Sequence, residues 1–477
     1  MAEKTTFALC FGNRGFFPGP LLAEAREELP KLLEEWGHDS LMLPADATRY
    51  GAVETPAEGQ VFAKFLEEHR GQFGGVILSL PNFGDETGAV AALKDARVPI
   101  LIQAYPDDLD KMRPELRRDA FCGKLSIMDV FYQYGISFTA LKPHVVRPSS
   151  IPFRTNVDLF DRTCRVVNGM RGMVVGAIGA RTTPFKTVRV DEVALQRHGV
   201  TVETLDLSGV FARVKEVRPS SAAYKDKAQE LKACACWEQV PEEKYKSLVR
   251  LGVVLDEIIE EYQMDAIALR CWLELQEQLG VSPCILLGAL NERGVAAACE
   301  VDVANAVAMH ALAQASDGPT ALLDWNNNYG DDEDKCILFH CGPVPPSMMA
   351  GQGTITDHAI LEKAVGPGRG YGCNVGRIAP DDFTFTSMMT DEGKVKVYLG
   401  HGAFVDEPIP ADFFGCAGVA HIPRLQEVLL YVGRNGFRHH VGVTPGWVGE
   451  PLKEAFERYL DFEVSLPQPK YERKPRH

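Results

Sequence analysis

In AAACEVDVANAVAMHALAQA, residues 296–315, two acids, Glu300 and Asp302, separate a short apolar run from an apolar helix. Asp302 has a local task there. An Asp just before a first helical turn accepts hydrogen bonds from free N–H groups, worth about 1 kcal/mol. Glu300 has no such task, and a carboxylate at the exit of an apolar strand needs a cation or hydrogen-bond donors to offset its desolvation. The next apolar run, TALLDWNNNYGDD, places Asp324 before a polar, turn-forming stretch. Two parallel strands ending in Glu300 and Asp324 would aim both carboxylates into one crevice at the carboxyl edge of a sheet. Histidines that could complete such a site are His340, ending KCILFHC, and the adjacent His439 and His440 in RNGFRHHVGVTPG. Neighbouring side chains alternate along a strand, so one of that pair faces the site and the other packs or meets solvent.

Positioning these groups requires a scaffold, and the chain reads as α/β. From residue 6 to about 150, apolar runs (TFALCFG, DSLMLP, GGVILSL, VPILIQA) alternate with amphipathic ones (LLAEAREELPKLLEEWG, EGQVFAKFLEEHRG). That rhythm predicts a parallel sheet covered on both faces. It restarts with VDLFDRTCRVVNGM, MVVGAIGA, VDEVALQRHG, TVETLDL, a long helix at PEEKYKSLVRLGVVLDEIIEEYQ, and DAIALRC. Beyond residue 330 long helices mostly stop. KCILFHCG, DDFTFTSMMT, KVKVYLG and GFRHHVGVT alternate with Gly and Pro turns, predicting an antiparallel sheet or small barrel closed by a helix at EPLKEAFERYLDF. The expected layout is two Rossmann-like α/β domains, 1–150 and 151–325, then a β-rich C-terminal domain, 326–477. Gly-rich GPGRGYGCNVG (366–376) lacks the spacing of phosphate-binding loops and reads as a plain loop. FGNRGFFPG (11–19), which also lacks it, follows the first strand, where open α/β sheets commonly place ligand contacts, and makes Arg14 a substrate or interface candidate.

Composition narrows the function. The 477 residues are 45% hydrophobic and 24% charged, with no apolar run of the ~18 residues that a membrane span needs. A net charge of −15 argues against nucleic acid as the main partner, since phosphate binding draws on excess Lys and Arg. The start, MAEKTTFALCFGNRGFF, lacks the features of a secretory signal, giving a cytoplasmic reading with reduced thiols. The 12 cysteines form no Cys-x-x-Cys pair, and Cys234 and Cys236 in KACACWEQ read as small packing residues. The basic tail PQPKYERKPRH reads as a solvated end or a subunit contact.

ACEVDVANAVAMHAL, LLDWNNNYGDDEDKCILFHCG, FFGCAGVAHIP and RNGFRHHVGVTPGWVGEPLKEAFERYL, in that order, resemble segments of the L-fucose isomerase and L-arabinose isomerase superfamily, and ALRCWLELQEQLG resembles its middle domain. The resemblance implies two Rossmann-like domains before a β-rich one, a Mn²⁺-dependent aldose–ketose isomerase, and trimers or hexamers with sites near subunit boundaries. It assigns Glu300 and Asp324 as metal-binding acids, His440 (or its neighbour His439) as the C-terminal ligand, and His340 as an additional ligand in arabinose isomerases. Moving hydrogen between C1 and C2 needs a divalent ion to acidify the C–H beside the carbonyl; mixed carboxylate and imidazole donors suit Mn²⁺, with Mg²⁺ or Co²⁺ also compatible. Glu300 and Asp324 would then share the proton transfers through a cis-enediol. Trp272 in CWLEL is a candidate to stack on the sugar, Asn326 and Asn327 to bond hydroxyls, His439 to touch substrate, and Arg14 or Arg377 to meet an anionic substituent. The sugar stays open between a deoxyhexose, a pentose and a substituted hexose. Rival readings are a non-catalytic sugar-binding protein and a metal-dependent sugar dehydratase or aldolase.

Overall fold

The computed structural model describes residues 4–468. The basic tail beyond Gln468, read above as a solvated end or subunit contact, lies outside the described residues. The chain packs as two compact units. One runs to Asn168 and takes in Glu450–Asp461; the other is Gly169–Gly449 with Phe462 and the described residues after it.

The first unit is built on a four-stranded parallel sheet in the order Ser40–Met42, Phe7–Phe11, Gly75–Leu80, Ile100–Ala104. FALCF is buried along its whole length, as an apolar run must be when helices cover both faces. Its alternate residues serve opposite cores: Phe7, Leu9 and Phe11 on one face, Ala8 and Cys10 on the other. The helix Ile151–Met170, expected to open the next domain, instead inserts Phe153, Val157, Phe160 and Cys164 into this core. The helix Gly449–Arg458, expected to close the β-rich region, also belongs here by the packing of Glu450–Asp461. Tyr459 fixes its end: the hydroxyl donates to Ile100 O at 3.2 Å and lies 2.9 Å from Thr139 Oγ1. Amphipathicity reveals that a helix needs a partner, not which partner.

Lys124 is buried in this unit at 2% exposure, donating Nζ to His144 O at 2.9 Å, and burial pulls its pKa down to about 8. Between pH ~8 and the unfolded value of ~10.4, the unfolded chain holds a proton that the folded one has released, so stability rises with pH there. Lys124→Met is therefore expected to be more stable than wild type at pH 7 by on the order of 1–3 kcal/mol. The gap should narrow as pH climbs through that window. Urea unfolding of both proteins at a series of pH values measures it, and a gap independent of pH would show that burial does not shift the Lys124 pKa.

The second unit carries another four-stranded parallel sheet, Thr201–Leu205, Val174–Ile178, Ala266–Leu269, Ala296–Cys299, and a ten-stranded mixed sheet. Within the latter, Lys394–Val405, Asp381–Asp391, His440–Pro445, Ala321–Asn328, Lys335–His340 and Cys416–His421 pair antiparallel in sequence. Cys416–His421 then pairs back onto Lys394–Val405, closing a barrel and removing its edges. Of the antiparallel sheet or small barrel expected from the short strands, the strand pairing forms the barrel within a larger mixed sheet. Its core holds Leu323, Leu338, Phe383, Phe385, Tyr398, Val441 and Val443. Between barrel and parallel sheet lies the helix Val303–Ser316, contacting strands of both and buried around nearly its whole circumference. Gly442 lets the barrel approach this helix: a Cβ there would sit 3.3 Å from the Met309 and Leu312 side chains. Among the described residues no helix is long and apolar enough to cross a membrane.

Candidate active site

Glu300 follows the strand Ala296–Cys299 in a left-handed conformation, φ 62°, and Val301 repeats it at φ 60°. Such backbone costs roughly 1–3 kcal/mol per residue and is worst for a β-branched side chain. Val301 N donates to Leu269 O at 3.3 Å and Asp302 N to Cys299 O at 3.1 Å, holding the turn. The chain thus passes from strand to helix in a tight corner with the Glu300 carboxylate at its tip. Asp302 caps the helix as expected, accepting from Asn305 N at 3.3 Å.

Asp324 reaches the site by a different route from the one expected. Ala321–Asn328 does not lie parallel to Ala296–Cys299; it is a barrel strand, and Asp324 stands within it, directly opposite His440 on one neighbour and Phe339 on the other. The apolar run ALL fills a barrel core as readily as a parallel sheet, so periodicity could not separate the two. Cross-strand pairing nevertheless puts Asp324 beside His440.

His440 is where the acids meet. Its Nε2 lies 2.9 Å from Glu300 Oε2 and 3.5 Å from Asp324 Oδ1, while Nδ1 lies 2.8 Å from Asp302 Oδ2. Its side chain is fully buried, whereas that of His439 is 42% exposed and stands 3.8 Å from Asp324. His439 precedes the first residue of the strand, and its ring lies only 4.5 Å from that of His440, so the two do not fall cleanly on opposite faces. His340 is buried at 3% exposure, its ring 6.0 Å from that of His440. Glu300, His340 and His440 offer ligand atoms all within 4.8 Å of one another, and so do Asp324, His439 and His440.

Charge explains the protonation tendencies. Burial alone would depress His440, yet the Asp302 hydrogen bond, the Glu300 carboxylate at close range and the Asp324 charge push it up to about 10. Burial raises Glu300, but His440 and His340 outweigh it and hold the carboxyl below its usual value. For Asp324 burial wins, and its pKa rises. Asp302, fully buried against the Arg438 guanidinium, is held far below the ordinary range.

The donor set fits a divalent cation. Asp324 Oδ1, His340 Nε2 and His440 Nε2 are buried without a hydrogen-bond partner among the described residues, and the close approach of Glu300 to His440 is not aligned as a hydrogen bond. Buried polar atoms in that condition cost free energy unless something pairs them. Carboxylate oxygens and imidazole nitrogens meeting in two overlapping clusters that share His440 are what a borderline-hard divalent ion takes. Cys299, His340 and Cys341 form a further candidate cluster.

The other sequence candidates are distributed unevenly. Trp272 does reach the site, donating Nε1–H to Glu300 Oε1 at 3.1 Å. Asn326 and Asn327 are exposed and hydrogen-bonded to each other, beside a bulge in the strand. Arg377 spends its guanidinium on Gly376 O and Pro410 O, both 2.8 Å away. Arg14 belongs to the first unit, where it pairs with Glu86 at 2.5 Å, donates to Gly84 O and lies over the Phe83 ring at 4.1 Å. Its ion pair explains the residue without a ligand.

Three features escaped sequence reasoning. Arg438, next to the histidine pair, forms the buried ion pair with Asp302. Phe185, in a segment without a motif, sets its ring edge-on to Trp272 at 5.7 Å and to His439 at 5.4 Å. A buried thiol layer behind the site puts Cys284 Sγ 3.3 Å from Cys341 and 4.0 Å from Cys373. A buried-capable Arg abutting two histidines was a legible signal for the first; the others had none.

The fold and site define a member of the fucose isomerase-like superfamily, to which the chain belongs. Residues 8–171 match the model of the fucose/sulfoquinovose isomerase N-terminal domain, and residues 338–467 match that of the L-fucose isomerase C-terminal domain. Glu300 and Asp324 fall between these ranges. Among curated proteins it is similar to the sulfoquinovose isomerase of Priestia aryabhattai, 21% identical over 305 residues, covering 63% of this chain and 66% of that protein. The sulfoquinovose isomerase of Clostridium sp. (strain MSTE9) is 24% identical over 253 residues, 53% of this chain and 56% of that one. For that of Alkalicoccus urumqiensis the values are 23% over 328 residues, 65% and 71%. The match thus spans just under two thirds of the length of the first of these relatives and little more than half of the second.

Proposed function

We propose that this chain is a divalent-cation-dependent aldose–ketose isomerase, with a hexose bearing an anionic substituent such as a sulfonate as its substrate class. The observation that carries the reaction type is the convergence of Glu300 and Asp324 on His440 Nε2 while Asp302 grips the opposite ring nitrogen. The substrate class rests on the names of the relatives. Glu300, Asp324 and His440 would hold the ion, Mn²⁺ by donor type and Mg²⁺ or Co²⁺ as substitutes. When bound, the ion acidifies the C–H beside the sugar carbonyl and stabilises the negative charge developing on the enediolate.

The remaining work falls to side chains. Glu300 and Asp324 divide the proton transfers, one at carbon and one at the hydroxyls, both being half-buried carboxylates within reach of the same ring nitrogen. Trp272 fixes the Glu300 rotamer through its indole N–H and, with Phe185, walls the site against water. Assembly as a trimer or hexamer in the cytoplasm is part of the same reading. Phe121, Leu125 and Tyr132, exposed by 55%, 52% and 81% on the helix Ala120–Gln133, are apolar surface that an oligomer would cover.

A panel of aldoses including sulfoquinovose, incubated with Mn²⁺ and analysed for products, tests the proposal. The expected result is a ketose from the sulfonated hexose, abolished by a chelator and restored by Mn²⁺, with deuterium from heavy water at the transferred position. Products of carbon–oxygen or carbon–carbon cleavage would establish the dehydratase or aldolase reading; no turnover with any aldose would establish a binding protein. Mn²⁺ at a hundred times its Kd should also raise stability by about 2.7 kcal/mol, read as a higher thermal midpoint.

A further inference from the structure

The two buried histidines of the site are held by opposite hydrogen-bonding patterns. His440 presents Nδ1 to Asp302, a carboxylate that Arg438 keeps ionised and that can only accept. The hydrogen of a neutral His440 therefore sits on Nδ1, leaving the Nε2 lone pair for a cation, the arrangement that orients metal-binding imidazoles generally. His340 is the reverse. Its Nδ1 accepts the backbone N–H of Cys341 at 2.9 Å, and a backbone N–H can only donate. A neutral His340 must then carry its hydrogen on Nε2. Cys341 Sγ, 3.2 Å from the same Nδ1 and backed by Cys284 Sγ, leaves that side of the ring occupied by the thiol layer.

Charging the ring does not alter the outcome. A protonated imidazole also bears hydrogen on Nε2. In both states Nε2 is a donor with no lone pair to give, it is buried, and it has no acceptor among the described residues.

Resting on the isomerase reading above, we propose that His340 is not a cation ligand but a catalytic hydrogen-bond donor, its Nε2–H directed at an oxygen of the sugar's reacting carbons. A donor preset at an oxygen that gains negative charge stabilises the transition state more than the ground state. Both this role and the ligand role place His340 in the site, so metal binding separates them.

Mn²⁺ affinity of wild type, His340→Gln and His440→Gln is measured by calorimetric titration, with the thermal midpoint of each apoprotein checking the fold. The expected result is an affinity within about threefold of wild type for His340→Gln and a loss of at least about tenfold for His440→Gln. Turnover of His340→Ala should fall by on the order of 10²-fold or more, and His340→Gln, which keeps an N–H donor, should recover part of it. If His340→Gln loses Mn²⁺ as His440→Gln does, His340 is a ligand and the inference fails while the isomerase reading stands. If wild type itself binds no Mn²⁺, the cation-dependent reading fails and the inference with it. Equal turnover of the Gln and Ala variants would also sink the donor role.

Discussion

Glu300→Gln is expected to reduce turnover by on the order of 10⁴-fold or more while leaving the folded protein as stable as wild type. The amide matches the carboxylate in shape and can still accept the Trp272 indole N–H from its oxygen. What it loses is the negative charge and the ability to take a proton. General acid–base catalysis alone accounts for about 10²–10⁴-fold, and a lost ionic donor to the cation compounds it. Stability should not suffer, because removing a desolvated charge offsets the lost attraction to His440. Excess Mn²⁺ would restore site occupancy in this variant but not the rate, since the missing group does chemistry as well as binding. Near-normal turnover would remove Glu300 from the mechanism altogether. The companion Asp324→Asn divides the labour: the variant that stops exchanging solvent deuterium into the sugar carbon has lost the residue acting at carbon.

How far the sequence reaches toward this site depends on which physical signal each residue leaves. Glu300 was conspicuous because an acid at the end of AAAC is anomalous, and anomalies survive without any knowledge of tertiary structure. The first sheet was legible for a similar reason, as FALCF, GVILSL and ILIQA are buried on both faces and must be apolar throughout. Asp324 was picked out by residue type but assigned to the other sheet. The apolar residues before it satisfy either packing, and only the closure of the barrel decides. The helices Ile151–Met170 and Gly449–Arg458 were drawn to the wrong neighbours because an apolar stripe carries no address. Left-handed backbone at Val301 left no trace either, since nothing in the letters EVD announces a strained corner. Tertiary contacts impose it.

The largest expected structural effect comes from Asp302, a residue whose capping role was foreseen and whose larger role was not. Its two oxygens serve the Arg438 guanidinium, the Asn305 amide and His440 Nδ1, all buried. Asn305 in turn accepts from Ser387 Oγ and Met388 N, both at 3.0 Å, tying the helix to the barrel strand Asp381–Asp391. Asp302→Ala strands the Arg438 charge in the interior, a change that costs about 3–5 kcal/mol for a broken buried pair. It also frees His440 to rotate, so Mn²⁺ affinity should drop by roughly 10–100-fold even where the protein still folds. Asp302→Asn separates the two consequences. Its amide can still cap the helix through the oxygen, but an amide N–H facing His440 Nδ1 forces the ring hydrogen onto Nε2, the nitrogen that must stay bare. A wrong tautomer of this kind costs on the order of 10⁴-fold in rate in serine proteases, and here it should weaken Mn²⁺ binding together with turnover. Because folding holds the Asp302 pKa below its ordinary value, its contribution is complete above the unfolded value of ~3.9 and fades as pH falls below it. The stability difference between wild type and Asp302→Ala should therefore shrink in acid. A gap that stayed fixed into acid would mean that Asp302 supports the fold by shape alone, and unchanged Mn²⁺ affinity in both variants would mean that His440 needs no partner to hold its orientation.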